Sequence, residues 1–199
     1  MHEQSKAAKR RYYDGAFHNR YFVGKGIDIG GKPDPLAQYI GAFPRMTEVR
    51  TWDMEDGDGQ YLQGVPDNAV DFVHASHSLE DMEDVSEALH NWSRVVKPGG
   101  FIIVTVPDED LYEMGQWPSR RNPAHKWTFT IAKVKSWSPR SINVVDLVME
   151  FYNRLELERL VLQRDFYRED LRQREFDQTR TPVAECAIEV IWRKRIADE

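Results

Sequence analysis

The stretch Asp84-Val85-Ser86-Glu87-Ala88-Leu89-His90-Asn91-Trp92-Ser93-Arg94-Val95-Val96-Lys97-Pro98-Gly99-Gly100-Phe101-Ile102-Ile103-Val104-Thr105-Val106 decides the fold. Val85, Ala88, Leu89, Trp92, Val95 and Val96 recur at the 3.6-residue spacing of an amphipathic helix. Asp84 stands where an N-cap belongs, and Lys97-Pro98-Gly99-Gly100 ends the helix. The apolar run Phe101–Val106 then reads as a strand buried on both faces. Upstream, Ala69–Ala75 is a further strand, so strand, helix and strand follow one another with short connections. That order predicts a right-handed parallel βαβ unit.

Working outward toward the N-terminus, Gly26-Ile27-Asp28-Ile29 reads as a strand stopped by Gly30-Gly31. Pro35–Ile40 reads as a short helix with Asp34 as its N-cap. Glu48–Trp52 alternates as a strand does. Residues 1–22 are read as an N-terminal helical extension, polar and basic over 3–15, where Lys6, Lys9, Arg10 and Arg11 lie. Toward the C-terminus, 107–140 is irregular, Ile142–Tyr152 is helical, and Leu155–Phe166 and Glu185–Arg193 are two strands. The charged segment 167–182 between them is expected to be a flexible hairpin connection. The expectation is one α/β domain over 1–199, with a mostly parallel sheet and a C-terminal antiparallel hairpin.

Composition narrows the function classes. A chain of 199 residues that is 41% hydrophobic and 30% charged can bury one sizeable core. No apolar run approaches the ~20 residues of a membrane span. The first six residues lack the apolar core of a signal peptide, and the single Cys186 cannot form an internal disulfide. A reducing, cytoplasmic setting follows as the expectation. A net charge of −6 argues against a nucleic-acid partner. Charge placement qualifies that total. Trp117 to Arg140 holds no Asp or Glu but carries Arg120, Arg121, Lys126, Lys133, Lys135 and Arg140, with Trp117, Trp127, Phe129, Trp137 and His125 among them. A cationic, aromatic segment suits an anionic or sugar-like ligand, with arginine forks for phosphate or carboxylate. Packing of the tryptophans on the core, or pairing of the cations with the acidic run 80–87, is the competing reading.

Gly30-Gly31 after a strand lets backbone N–H groups approach a ligand, although the dinucleotide pattern G-x-G-x-x-G is absent. The ordered set Gly26-Ile27-Asp28-Ile29-Gly30-Gly31, Trp52-Asp53, Gly57-Asp58-Gly59, Phe72–Glu80 and Arg94–Gly100 resembles the class I S-adenosylmethionine-dependent methyltransferases of the small-molecule type. It covers roughly 26–130, and the last two strands match that family's terminal hairpin. The resemblance implies a Rossmann-like methyltransferase fold with S-adenosyl-L-methionine as cofactor. By position, Gly30 and Gly31 line the cofactor's methionine end and Asp28 organises their loop. Asp53 meets the ribose hydroxyls, Asp58 with Gly59 the adenine, and Ser76 with His77 the sulfonium. A solvated acidic turn is the alternative reading of Asp53 to Asp58. The family usually has two further glycines where Lys32 and Asp34 stand, which implies rearranged cofactor contacts. Only five positions separate Asp53 from Asp58, so one strand and its helix should be missing, leaving about six strands.

The implied reaction is methyl transfer to a small acceptor that is anionic, sugar-like or a glycan precursor, as in bacterial surface-polysaccharide relatives. Oxygen is favoured as the accepting atom, because no Asn-Pro-Pro-Tyr-type motif is present. His125 is the first candidate base, His77 the second, and Asp108 the alternative. Arg120, Arg121, Lys126, Trp117 and Trp127 are the acceptor-binding candidates. His74 is read as packing in the sheet, so no metal site is expected from His74 and His77. A homodimer is compatible with the sequence. The rival reading is a non-catalytic methyltransferase-like domain acting as a partner subunit.

Overall fold

The computed structural model describes residues 3–131, 133–172 and 176–196. Its first parallel ladder is β1 (Gly24–Ile29) against β2 (Met46–Trp52) on one side and β3 (Val70–Ser76) on the other. Helix α2 (Val85–Val95) then leads into β4 (Val96–Pro107), which pairs parallel with β3. Asp84 caps α2 by accepting the Glu87 N–H at 2.9 Å. Chain reversal near the C-terminus gives β7 (Leu155–Gln163) and β8 (Ala187–Lys194), antiparallel to each other, with β8 antiparallel to β4. The sheet order β2-β1-β3-β4-β8-β7 is the six-stranded arrangement expected from the short Asp53–Asp58 gap. Between β4 and β7 in the chain lie a two-stranded parallel pair, β5 (Thr128–Thr130) and β6 (Ser141–Asn143), and helix α3 (Val144–Glu150). No helix among the described residues is long and apolar enough to cross a membrane.

Period-two alternation divides the sheet into two unlike faces. Ile27, Ile29, Val73, Ala75, Ile102, Val104, Val190 and Trp192 join Ala88, Leu89 and Trp92 of α2 in the larger core. The opposite face carries Phe72, Ile103 and Ile191 under Phe17, Phe22, Leu36 and Phe43. Helix α1 (Glu3–Tyr12) packs on that second face, and it buries Lys6 and Arg11 as well as Ala7 and Ala8.

Several elements differ from the sequence reading: Ile142 belongs to β6 rather than to the helix after it, and the stretch read as irregular holds β5. Residues 36–42 form a 3₁₀ turn rather than an α-helix, and Asp34 does not cap it. The cap comes from Asp28, whose Oδ2 accepts the Leu36 N–H at 2.7 Å, while Asp34 accepts from the Tyr39 hydroxyl. The segment 167–182 contains a short helix α4 (Glu169–Arg172) and a 3₁₀ turn Gln178–Arg180. Gln178 clamps it by accepting the Arg168 N–H at 2.7 Å and donating to the Arg168 carbonyl at 2.8 Å. Residues 173–175 of that connection lie outside the described residues.

Leu89 is fully buried between α2 and the sheet. Leu89→Ala is expected to lower unfolding free energy by about 3 kcal/mol, read from urea midpoints at unchanged slope.

Candidate active site

The site grows from one buried carboxyl group. Asp28 sits on β1 with 1% exposure, and its two oxygens do separate jobs. Oδ2 holds the Leu36 N–H, while Oδ1 lies 2.6 Å from Nδ1 of His74 on the neighbouring strand. Nε2 of His74 faces the Arg11 guanidinium at 2.9 Å. Arginine only donates, so Nε2 accepts and the proton sits on Nδ1, directed at Asp28. Burial, the dominant effect, lowers the His74 pKa and agrees with a neutral ring. His74, read from the sequence as sheet packing, is thus the link between α1 and the glycine loop.

That loop tolerates no side chains. A Cβ on Gly31 would lie 2.2 Å from Asp28 Oδ2, and one on Gly30, at φ +65°, would lie 2.7 Å from Ser78 Cβ. Asp53, at the end of β2, accepts the Lys32 N–H at 3.1 Å and the Met54 N–H at 2.9 Å, which ties the glycine loop to the second strand. The loop 57–59 is pinned by two indoles: Trp52 donates to the Gly57 carbonyl at 3.0 Å and Trp92 to the Gly59 carbonyl at 2.8 Å. Asp58 turns its carboxylate onto the Gln60 N–H. The indole pins escaped the sequence reading, because helix periodicity marks Trp92 only as core.

These pieces line one cavity of about 930 Å³. Gly30, Asp53, Asp58 and Gly59 form one side; His77, Ser78, Asp81 and residues 122–126, including His125 and Lys126, form the other. A smaller recess of about 170 Å³ lies beside the glycine loop, between Asp28, Gly30, Gly31, Asp34, Ser76, His77 and the start of α1 at Glu3 and Gln4. Five buried polar atoms there have no partner: both amide atoms of Gln4, Asp34 Oδ2, Ser76 Oγ and His77 Nε2. Buried polar groups are rarely left unmet, so the recess is shaped for a polar ligand.

Among the acceptor candidates, the structure separates true lining residues from packed ones. His125 is buried with Nδ1 2.7 Å from Glu113 and Nε2 3.6 Å from Glu80. Backbone N–H groups of Lys126 and Trp127 donate to the Glu80 carbonyl, which docks this segment over the end of β3. Glu80 is fully buried and its pKa is raised well above the ordinary value, first by burial and then by Asp81. Trp127 lines neither cavity. Its indole donates to the Met82 carbonyl, and Arg140 covers its ring. Trp117 is half-buried and is not among the residues lining either cavity. Asp108 caps a turn through the Asp110 and Leu111 N–H groups, and burial raises its pKa to about 6. The cationic block is also less open than its sequence suggests: Lys126 pairs with Glu83, and Lys133 with Glu109 and Asp110. No group of His, Cys, Asp and Glu among the described residues could hold a metal ion.

A doubly covered, mostly parallel sheet with a cavity at the carboxyl ends of its strands and a C-terminal antiparallel pair is a Rossmann-like fold of the kind methyltransferases have. Residues 26–104 match the family described as a methyltransferase domain. The fold is similar to a SAM-dependent methyltransferase from Archaeoglobus fulgidus, at 15% identity and a TM-score of 0.61, covering 96% of this chain and 94% of that one. It is similar to a SAM-dependent methyltransferase from Aquifex aeolicus, at 10% identity and a TM-score of 0.51, covering 96% and 98%. A chain from the Haloferax volcanii complex with the Trm112 methyltransferase activator gives 14% identity, a TM-score of 0.54, and coverage of 98% and 94%. No curated protein matches the chain.

S-adenosylmethionine, the cofactor that the sequence resemblance implies, fits the residues present. A cradle without Cβ atoms admits close backbone approach, and the unmet atoms of Gln4, Asp34 and Ser76 suit the ammonium and carboxylate of an amino-acid end.

Gly31→Ala is expected to weaken S-adenosylmethionine binding by about tenfold or more in calorimetry, since the clash falls on a carboxyl group already fixed by two partners. His77 supplies a pH test. Burial, followed by His125, holds its pKa down at about 3. The ring is neutral when folded and takes up a proton only in the unfolded chain, below about 6.5. Its contribution is complete above that value and is lost as pH falls from about 6.5 toward 3. Relative to His77→Gln, the wild type should lose up to about 1.4 kcal/mol of stability per pH unit across that window. Taking the difference between the two proteins removes groups away from His77 such as Asp108, whose raised pKa acts with opposite sign.

Proposed function

We propose that this protein transfers a methyl group from S-adenosylmethionine to an oxygen atom of a small, anionic or sugar-like acceptor. One observation carries the reading: residues assigned to the cofactor and the overhanging segment 122–126 line the same cavity. When bound, the cofactor supplies an electrophilic methyl group on a sulfonium, and its transfer depends mainly on alignment of the reactants. Gly30, Gly31 and Gln4 take the amino-acid end, Asp53 accepts from the ribose hydroxyls, and the Asp58–Gly59 turn receives the adenine. His77, held neutral, adds no positive charge beside a cationic sulfur.

His125 is the candidate base. Glu113 fixes its ring through Nδ1, which leaves Nε2 as the atom to receive a proton from the acceptor. The same low pKa that suits His77 to the sulfonium makes it the weaker base, since it holds a proton poorly at neutral pH. Asp108, committed to its turn, stands third. Arg120 and Lys126 are the cations proposed to recognise the acceptor, a glycan precursor being one class that fits, while Arg121 holds Tyr112 and Asp177 in place.

A second reading, a non-catalytic methyltransferase-like subunit, draws on Lys32. It lines the cofactor cavity and pairs with Glu55 across the glycine loop. An activator partner like that of the Haloferax chain, or a homodimer, belongs with this reading.

An acceptor screen that detects S-adenosylhomocysteine release tests the enzyme reading, with calorimetric S-adenosylmethionine binding as its companion. His125→Ala should lower turnover by about 100-fold or more at neutral pH while it still binds cofactor. Asp53→Ala should lose binding. Full turnover in His125→Ala would remove it as the base, and no cofactor binding by the wild type would favour the subunit reading.

A further inference from the structure

A third cavity, of about 510 Å³, lies on the far side of Tyr112 from the cofactor space. Tyr112 lines it and also packs its ring on His77 at 5.6 Å and on His125 at 5.4 Å. Two separate parts of the chain build it. Gln116, Arg120 and Arg121 come from the segment after β4, and Arg172, Asp177, Thr179 and Arg180 come from the hairpin connection. Four guanidinium groups therefore face one carboxylate.

The arginines divide by role. Arg121 is structural: its Nε donates to the Tyr112 carbonyl at 2.7 Å and its Nη1 meets Asp177 at 2.7 Å. Arg180 reaches Asp177 only at 3.4 Å and is almost fully exposed. Arg120 and Arg172 make no close ion pair with a described residue, although Arg172 is near enough to Asp110 to help lower its pKa. The backbone that carries Arg180 is fixed on both sides. Gln178 clamps it to Arg168, and the buried Lys6 of α1 donates to the Thr179 carbonyl at 2.6 Å. Four cations thus line one cavity, with Asp177 as the one carboxylate among its lining residues.

We propose that this pocket binds the phosphate group of a phosphorylated small molecule, held by Arg120, Arg172 and Arg180. Guanidinium forks approaching from two walls match the several oxygen directions of a tetrahedral dianion better than a single carboxylate plane. The inference rests on the methyl-transfer reading and deepens it. The anion would anchor one end of the acceptor, and Tyr112 would separate that anchor from the reacting end beside His125.

Titration calorimetry with inorganic pyrophosphate tests the site, with citrate as the carboxylate comparison and S-adenosylmethionine titrated in parallel. Wild type should bind pyrophosphate saturably and more tightly than citrate. The double variant Arg172→Gln/Arg180→Gln should weaken pyrophosphate by about tenfold or more, and Arg120→Gln should weaken it in the same direction. Cofactor affinity should be unchanged in both variants, which also shows that they fold. Absence of saturable pyrophosphate binding, equal binding by the folded double variant, or tighter binding of citrate would overturn the proposal. The cofactor titration reads the methyl-transfer reading separately, so failure of one is distinguishable from failure of the other.

Discussion

A carboxyl group buried in a parallel sheet must be answered, because water is not there to solvate it. In this protein that group is Asp28, and the answers it receives decide where several other parts lie. Its Oδ2 starts the 3₁₀ turn at Leu36 and forbids a side chain on Gly31; its Oδ1 accepts the hydrogen bond of His74 Nδ1–H. His74 is satisfied in turn only because Arg11 reaches down from α1. The conformation of the glycine loop is therefore a product of groups contributed by β1, β3 and α1 together.

The chain of contacts continues across the sheet. Arg11 also donates to Thr105 on β4 and to Glu189 on β8, and Glu189 accepts from Arg10 as well. Asp28, His74, Thr105 and Glu189 occupy the same face of four adjacent strands, the face opposite α2. The three arginines around it hold the Glu189 pKa at about 2 despite its burial. One face of the sheet is thus joined by apolar packing and the other by apolar packing plus a row of hydrogen-bonded charges. On the second face, specificity of α1 docking comes from directional donors rather than from shape alone.

The strands, the capped helix and the six-strand count were legible because apolar period and turn residues act locally. Asp84, Gly99-Gly100 and the run Phe101–Val106 state their roles within a few positions of one another. The glycine loop was legible in place but not in mechanism. Asp34 precedes Pro35 as an N-cap should, yet Asp28 takes the job because it is closer to the Leu36 N–H once β1 is in the sheet. The cationic segment was legible as charge but not as geometry, since partners such as Glu109 for Lys133 and Asp177 for Arg121 are distant in sequence or set by loop path. Trp127 shows the same limit: composition marks an aromatic, and only the fold reveals its indole turned onto Met82. The buried network left a fainter trace. His74 and Glu189 are polar residues at inward positions of otherwise apolar strands, a pattern that buried hydrogen-bonded groups impose on a sequence.

The position of β8 has a consequence for biosynthesis. Glu189 is made some 178 residues after Arg11, the side chain it receives, and β8 lies inside the sheet between β4 and β7. During translation the glycine loop and the first four strands leave the ribosome well before the group that seats α1. Until β8 inserts, Arg11 lacks its carboxylate and holds α1 only through His74 and Thr105. A nascent or prematurely terminated chain can therefore display the glycine motif in full while the α1 wall of the small recess still lacks the ion pair that completes its seat.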